Sequence, residues 1–170
     1  MRSGQDGTTE KRKDDGMDEL YHAEGVLNRG FVGQITYTVC LEKTYEKLDI
    51  HFSFDADKRT YRPEEVTPGL ILDTIASSRR NCGLEIDEKR AREVILGDMK
   101  TEIHTLAELN GGFIGCIHKQ LTDRHMRYDG EYASEGCIPQ RAFDGVLKVT
   151  VLVFNVIKDG THYDLSVSAG

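Results

Sequence analysis

The sequence predicts an α+β protein in which successive hairpins build an antiparallel sheet of about six or seven strands. Segments with alternating apolar and polar residues occur near the start of the chain and again after residue 98. Between residues 67 and 97, two segments instead repeat their apolar residues at helical spacing. Because both helices fall in the middle of the chain, this order excludes a doubly wound parallel sheet and places the helices on one face of the sheet.

Length and charge limit the possible classes of protein. Residues 1–17 are polar and predict a disordered tail or a remnant of cloning, and residues 18–170 predict one α+β domain. The net charge of -7 argues against a nucleic-acid surface, which usually carries a basic excess. No segment approaches the ~18 apolar residues of a membrane span. Four scattered cysteines without a secretory signal predict reduced thiols in the cytoplasm.

The first strands are predicted by alternation. Residues 20–27 fit either a short helix capped by Asp18 or a strand, and we favour the strand. Residues 31–41 and 48–54 then alternate, and pairing Leu41 with Leu48 keeps the large apolar residues of this hairpin on one face. The opposite, mixed face carries His51 among hydroxyl and carboxylate side chains.

Local signals mark both helices. Thr67 predicts the N-cap of the first helix, with proline at its first position and Gly83 as its C-terminal cap. Asp87 predicts the N-cap of the second helix, and Gly97 its end. Each helix is apolar on one side only, so we expect both to pack on the apolar face of the sheet.

Residues 99–127 predict a central hairpin with its turn at Asn110. A two-residue Asn-Gly turn would pair Leu109 with Gly112, whereas a three-residue loop with a bulge at Gly112 pairs Leu109 with Phe113. We favour the second register because it places the apolar residues of both strands on one face.

The end of the chain predicts a last hairpin. Residues 146–157 form the most apolar segment and predict an interior strand. The Asp159-Gly160 turn signal pairs Lys158 with Thr161.

The favoured register of the central hairpin brings possible metal ligands together. It sets His104 directly across from His118, with Cys116 on the same face and Glu102 across from Gln120. Cβ atoms of such a pair lie roughly 5 Å apart, which allows both imidazoles to bind zinc or another divalent metal. Histidine and cysteine are also common at half-buried strand positions, and no HExxH or CxxC spacing supports a metal. The candidate ligand-binding residues are His104, His118, Cys116, Glu102 and His51, and the first three form the candidate metal set.

Two classes of function follow. The sequence contains no GxSxG, Walker or Rossmann motif, which favours a non-catalytic binding or interaction module. Such a module would use the mixed face of its sheet to bind a small molecule, a protein partner or a second copy of itself. The alternative is a metal-dependent enzyme, most plausibly a hydrolase, with its site on the hairpin of residues 99–127. Several phrases, among them SEGCIPQ, resemble small bacterial proteins, but they identify no family and assign no residue roles.

Overall fold

Two antiparallel sheets face each other in the computed structural model, which describes residues 16–119 and 121–170. Most of the predicted tail at residues 1–17 lies outside that range. The described strands are β1 (Asp18–Leu27), β2 (Gly33–Tyr45), β3 (Lys47–Phe54), β4 (Glu102–Leu109), β5 (Gly112–Ile117), β6 (Asp123–Asp129), β7 (Tyr132–Ala133), β8 (Phe143–Asn155) and β9 (Thr161–Ala169). The described helices are α1 (Pro68–Cys82) and α2 (Glu88–Gly97).

The α+β class and the antiparallel pairing are confirmed, but the strands form two sheets rather than one. The five-stranded sheet has the order β1-β9-β3-β6-β7, and the four-stranded sheet has the order β2-β8-β4-β5. β8 lies between two neighbours, as its apolar sequence predicted. One hydrophobic core fills the space between the sheets and includes Phe52 and Leu165 from one sheet and Val149 and Val151 from the other.

Two predicted hairpins are wrong, because their strands lie in opposite sheets. Leu41 pairs with Gly145 rather than with Leu48, since β2 joins β8 while β3 joins β6 and β9. Likewise β8 and β9 do not pair, so Lys158 and Thr161 are not ladder partners. The physical reason is that alternation determines which face of a strand is buried and not which strand lies beside it. Two strands that face each other across a core satisfy the same pattern as two strands that pair.

Both helices begin and end where their caps predicted. The Thr67 hydroxyl accepts a hydrogen bond from the Leu70 amide (3.2 Å), and Gly83 ends α1 with φ at 66°. The Asp87 carboxylate accepts one from the Arg90 amide (2.7 Å) at the start of α2, which ends at Gly97.

The expected packing of the helices on the apolar face of a sheet is wrong. The helices bury their apolar stripes in a second, smaller cluster formed by Val66, Leu70, Ile71, Ala91 and Ile95. The reason is that each sheet already buries its apolar face against the other sheet, so the helices must bury their own stripes together.

Polar contacts connect this helical cluster to the two sheets. Lys158, which follows β8, donates to both carboxylate oxygens of Glu65 (2.9 and 2.7 Å), just ahead of α1. These hydrogen bonds lower the pKa of Glu65 from 4.5 to about 2. The Tyr61 hydroxyl donates to the carbonyl of Ile157 (2.5 Å) in the same region.

The β4–β5 hairpin corrects the predicted turn. Asn110 and Gly111 form a two-residue turn with φ of 51° and 81°, so Leu109 pairs with Gly112 and not with Phe113. The three-residue loop is therefore wrong. The side chain of Asn110 explains the preference, because it donates to the Asp144 carbonyl (3.0 Å) and accepts from the Val146 amide (2.9 Å), which fastens the turn to β8.

A β-bulge two residues beyond the turn restores the register that had been predicted for the strands. The ladder shifts after the Glu108–Phe113 pair, which leaves Ile114 as the extra residue. Ile114 is therefore buried and Phe113 exposed, although the favoured register had placed Phe113 beside Leu109 on the apolar face. Beyond the bulge, Leu106 pairs with Cys116, as the favoured register required.

An arginine lies in the core between the sheets. Arg124 on β6 is 3% exposed, and its guanidinium lies 4.6 Å from the centre of the Phe52 ring. Its Nε donates to the Thr105 hydroxyl (3.1 Å), and its Nη1 to the carbonyls of Lys119 and Leu121 (3.3 Å each). Burial lowers the pKa of Arg124 from 12.5 to about 10, because the apolar surroundings disfavour the charged form.

Candidate functional site

The residues predicted on the central hairpin lie together on the outer face of the four-stranded sheet. The ring centres of His104 and His118 are 6.1 Å apart, and Glu102 accepts a hydrogen bond from Nε2 of His104 (3.1 Å). Cys116 is half-buried, and this burial raises the pKa of its thiol, which disfavours the thiolate that a metal requires. The expected contact of Glu102 with Gln120 falls on a residue outside the described ranges.

A tighter cluster lies on the outer face of the five-stranded sheet. Among the residues that the structure describes, one group of three or more His, Cys, Asp or Glu side chains has all its ligand atoms within 4.8 Å of one another. It consists of His51, Asp123 and His125, which we call the β3–β6 cluster. The hairpin set of His104, His118 and Cys116 does not meet that spacing and stays a prediction. His51 was a candidate from the sequence, whereas Asp123 and His125 were missed.

Strand pairing positions the β3–β6 cluster. His51 lies opposite His125 in the β3–β6 ladder, and Ser53 lies opposite Asp123. The neighbours of His51 along its strand, Ile50 and Phe52, point into the core, which directs the imidazole outward. The sequence of β6, DRHMRYD, alternates in the same way, and this alternation is the signal that could have placed Asp123 and His125 on an outer face.

The two imidazoles of the cluster stack on each other beside one carboxylate. Their ring centres are 4.1 Å apart, with 11° between the ring planes. Oδ1 of Asp123 lies 3.2 Å from Nε2 of His51 and 4.0 Å from Nε2 of His125. The same carboxylate oxygen therefore faces the Nε2 atoms of both rings.

Asp49 holds the His125 ring from the other side. Its carboxylate oxygens lie 2.9 and 3.0 Å from Nδ1 of His125, and Nε of Arg127 lies 3.6 Å from one of them. The Asp49 side chain is only 14% exposed. A hydrogen bond donated by Nδ1 leaves the lone pair on Nε2 of His125, directed toward Asp123.

A third histidine extends the cluster across the sheet. His22 on β1 and His51 on β3 both lie opposite Ser166, the residue of β9 between them. His22 hydrogen-bonds Asp164 (2.5 Å), which raises the pKa of His22. We call His22, His51 and His125 the histidine row, since their positions align across four adjacent strands.

A depression lies beside the histidine row. Its volume is about 630 Å³. Its polar lining residues are Glu24, Ser53, Asp55, His162 and Asp164, and neighbouring residues of the same strands complete it. Asp164 also contacts His22, so the depression and the row share a carboxylate.

Fold and site together define a two-sheet antiparallel protein with a histidine–carboxylate cluster on the outer face of one sheet. The chain belongs to a protein family described as "Family of unknown function (DUF6669)", whose model matches residues 17–170. Comparisons with curated proteins and with solved structures find no match. Within residues 16–119 and 121–170, neither helix has the length and apolar character needed to cross a membrane.

Proposed function

We propose that this protein is a non-catalytic binding module and that its ligand surface is the outer face of the five-stranded sheet. The histidine row carries this proposal. Each of its imidazoles contacts a carboxylate, and the side chains of His22, His51 and His125 remain 47%, 29% and 33% exposed. Polar groups that are held in place and remain open to solvent can orient a bound ligand.

Stability alone does not account for this arrangement. Ion pairs at exposed positions contribute only about 0–1 kcal/mol to folding. The carboxylates of Asp49, Asp123 and Asp164 surround the imidazoles. Among the described residues, the permanently charged cation that contacts these carboxylates is Arg127, through Asp49. This surplus of acceptors favours a ligand that is cationic or rich in hydrogen-bond donors.

A ligand screen read by residue tests the proposal. We expect a library of polar metabolites and cations to contain a compound that raises the melting temperature and shifts backbone amide NMR signals of β3 and β6. His51→Ala should abolish both effects. Thr38→Ala, an exposed substitution on the outer face of the four-stranded sheet, is the matched control and should retain them.

Two other results decide among the occupants of this face. A dimer in light scattering that His51→Ala dissociates identifies a second copy as the partner. A monomer that binds no compound in a His51-dependent way contradicts the proposal.

A metal-dependent hydrolase on the β4–β5 hairpin is the second candidate. The observation that favours it is the neighbouring pair His104 and His118, with Glu102 bonded to the first ring. Chromogenic ester and phosphate substrates should then be cleaved by zinc-loaded protein and spared by a His104→Ala/His118→Ala variant. Equal rates for the two proteins would rule this hydrolase out.

A further inference from the structure

We infer that His51, His125 and Asp123 bind one divalent transition metal ion of the zinc type, with a fourth position open to solvent. This inference names the ligand of the face described above, and it therefore rests on the proposed binding function.

The three side chains supply a ligand set that suits zinc. Two imidazole nitrogens and one carboxylate oxygen are common zinc ligands, with bonds of about 2.0–2.2 Å. In a tetrahedral site such bonds place the ligand atoms about 3.3 Å apart. The 3.2 Å between Nε2 of His51 and Oδ1 of Asp123 already matches this spacing. The exposed Asp123 carboxylate must also approach Nε2 of His125, which now lies 4.0 Å from the same oxygen.

Asp49 orients the His125 ring so that Nε2 is the nitrogen available to a metal. Histidines that bind metals usually donate their other ring nitrogen to a carboxylate, which fixes the ring and makes the ligating nitrogen more basic. Asp49 occupies that place, with both its oxygens within 3.0 Å of Nδ1 of His125. An imidazole fixed in this way by a largely buried carboxylate distinguishes the cluster from a chance group of surface ion pairs.

Binding requires only local rotations of the His51 ring and of the exposed Asp123 side chain. Two stacked rings cannot direct both Nε2 lone pairs at one ion, so the His51 ring must turn about its Cβ–Cγ bond while Asp49 keeps the His125 ring in place. This torsion has a broad profile in histidine and costs little. The strands themselves need not move, since β3 and β6 are anchored by buried residues such as Ile50 and Met126.

The exposure of the ligands predicts an open site. Asp123 is 67% exposed, and its carboxylate lies near Nε2 of both rings. Three protein ligands and one solvent-facing position differ from the closed, four-ligand arrangement of structural zinc sites. The bound ion would therefore remain accessible to a further ligand from solution.

The experiment uses the whole chain, purified without a histidine tag, stripped with a chelator and kept reduced. Zinc chloride is titrated by calorimetry, and cobalt chloride is used to broaden nearby amide signals in NMR spectra. We expect one ion per chain, with broadening concentrated on β3 and β6. His51→Ala and His125→Ala should each weaken zinc binding at least tenfold, while His104→Ala/His118→Ala, the matched control on the other sheet, should not change it.

Asp49 is tested as a positioning residue. Asp49→Ala should weaken zinc binding roughly 10- to 100-fold, the range typical for groups that orient a metal ligand. Asp49→Asn should recover part of the loss, because its amide oxygen still accepts the proton of Nδ1. Thermal unfolding followed by circular dichroism checks that each variant remains folded.

Each outcome is decisive. Zinc binding that survives His51→Ala, or that is lost only in His104→Ala/His118→Ala, overturns the inference. If zinc does not bind but a compound from the screen still requires His51, the metal assignment is wrong and the binding function stands. If neither binds, both fail.

Discussion

The buried guanidinium of Arg124 predicts a stability that rises with pH in alkaline solution. The folded protein holds the pKa of Arg124 at about 10, against 12.5 for a freely solvated side chain. Between these two values the unfolded chain binds more protons than the folded chain, so increasing pH favours folding. Below pH 10, Arg124 is charged in both the folded and the unfolded protein, and the folded protein bears the full cost of burying that charge.

The size of this effect follows from the shift. A difference of 2.5 units corresponds to about 3.4 kcal/mol between the two protonation states. Integrated upward from neutral pH, the gain reaches only about 0.4 kcal/mol at pH 10 and about 1.4 kcal/mol at pH 11. Arg124→Met removes the titrating group and keeps a long apolar side chain over Phe52. The unfolding free energy of the wild type minus that of Arg124→Met should therefore rise by about 1.4 kcal/mol from pH 8 to pH 11.

Urea unfolding followed by far-ultraviolet circular dichroism, with reductant present, measures this difference. Groups that both proteins share titrate alike and cancel, except Cys116, whose thiol pKa is lowered by the charge of Arg124 in the wild type alone. Arg127→Met is the matched control, because Arg127 lies on the same strand with its side chain 60% exposed. Its difference from wild type should stay level over that pH range. A difference for Arg124→Met that also stays level would refute the reasoning.

Three further substitutions test how the sheets and helices are held. Lys158→Met should cost about 1 kcal/mol at pH 7. In urea unfolding this cost should shrink as pH falls from 4.5 toward 2, because the unfolded chain takes up a proton on Glu65 in that window while the folded wild type, with Lys158 in place, still holds Glu65 charged. Gly115→Ala should cost about 1–3 kcal/mol, since its Cβ would lie 2.7 Å from Sγ of Cys137. Gly97→Ala, with open space around it at the end of α2, is the control and should not destabilise the protein, because alanine favours a helix more than glycine does. Asn110→Ala should lower the melting midpoint by removing two hydrogen bonds at a left-handed position, and Asn110→Gly should recover the part due to backbone strain.

Features that depend on neighbouring residues could be predicted from the sequence. The caps at Thr67 and Asp87 are examples, because each hydrogen bond joins residues three positions apart. The inward positions of Ile103 and Ala107 on β4 are another, because alternation depends only on the pleat of the strand. In these cases the physical cause lies within a few residues of chain.

Features that depend on the choice of strand partner could not be predicted. β2 and β3 are adjacent in sequence and similar in pattern, yet each pairs with strands far away in the chain. The β3–β6 cluster depends on such a choice, because 72 residues separate His51 from Asp123. His51 alone was a candidate for this reason: its own strand showed that it faces outward, and only the ladder shows which side chains lie beside it.

The central hairpin shows why a correct register does not by itself make a metal site. The bulge at Ile114 preserves the pairing beyond the turn, so His104 and His118 do share a face. The third strand then decides their chemistry, because β8 places Leu152 opposite His104 and the ring of Phe154 4.5 Å from it. Apolar neighbours raise the cost of holding a charged ion. On the other sheet, Asp49 and Asp123 surround the imidazoles with carboxylates that offset a double positive charge. Of the two pairs of imidazoles on neighbouring strands, His51 and His125 therefore favour a metal more than His104 and His118 do, because two carboxylates surround them.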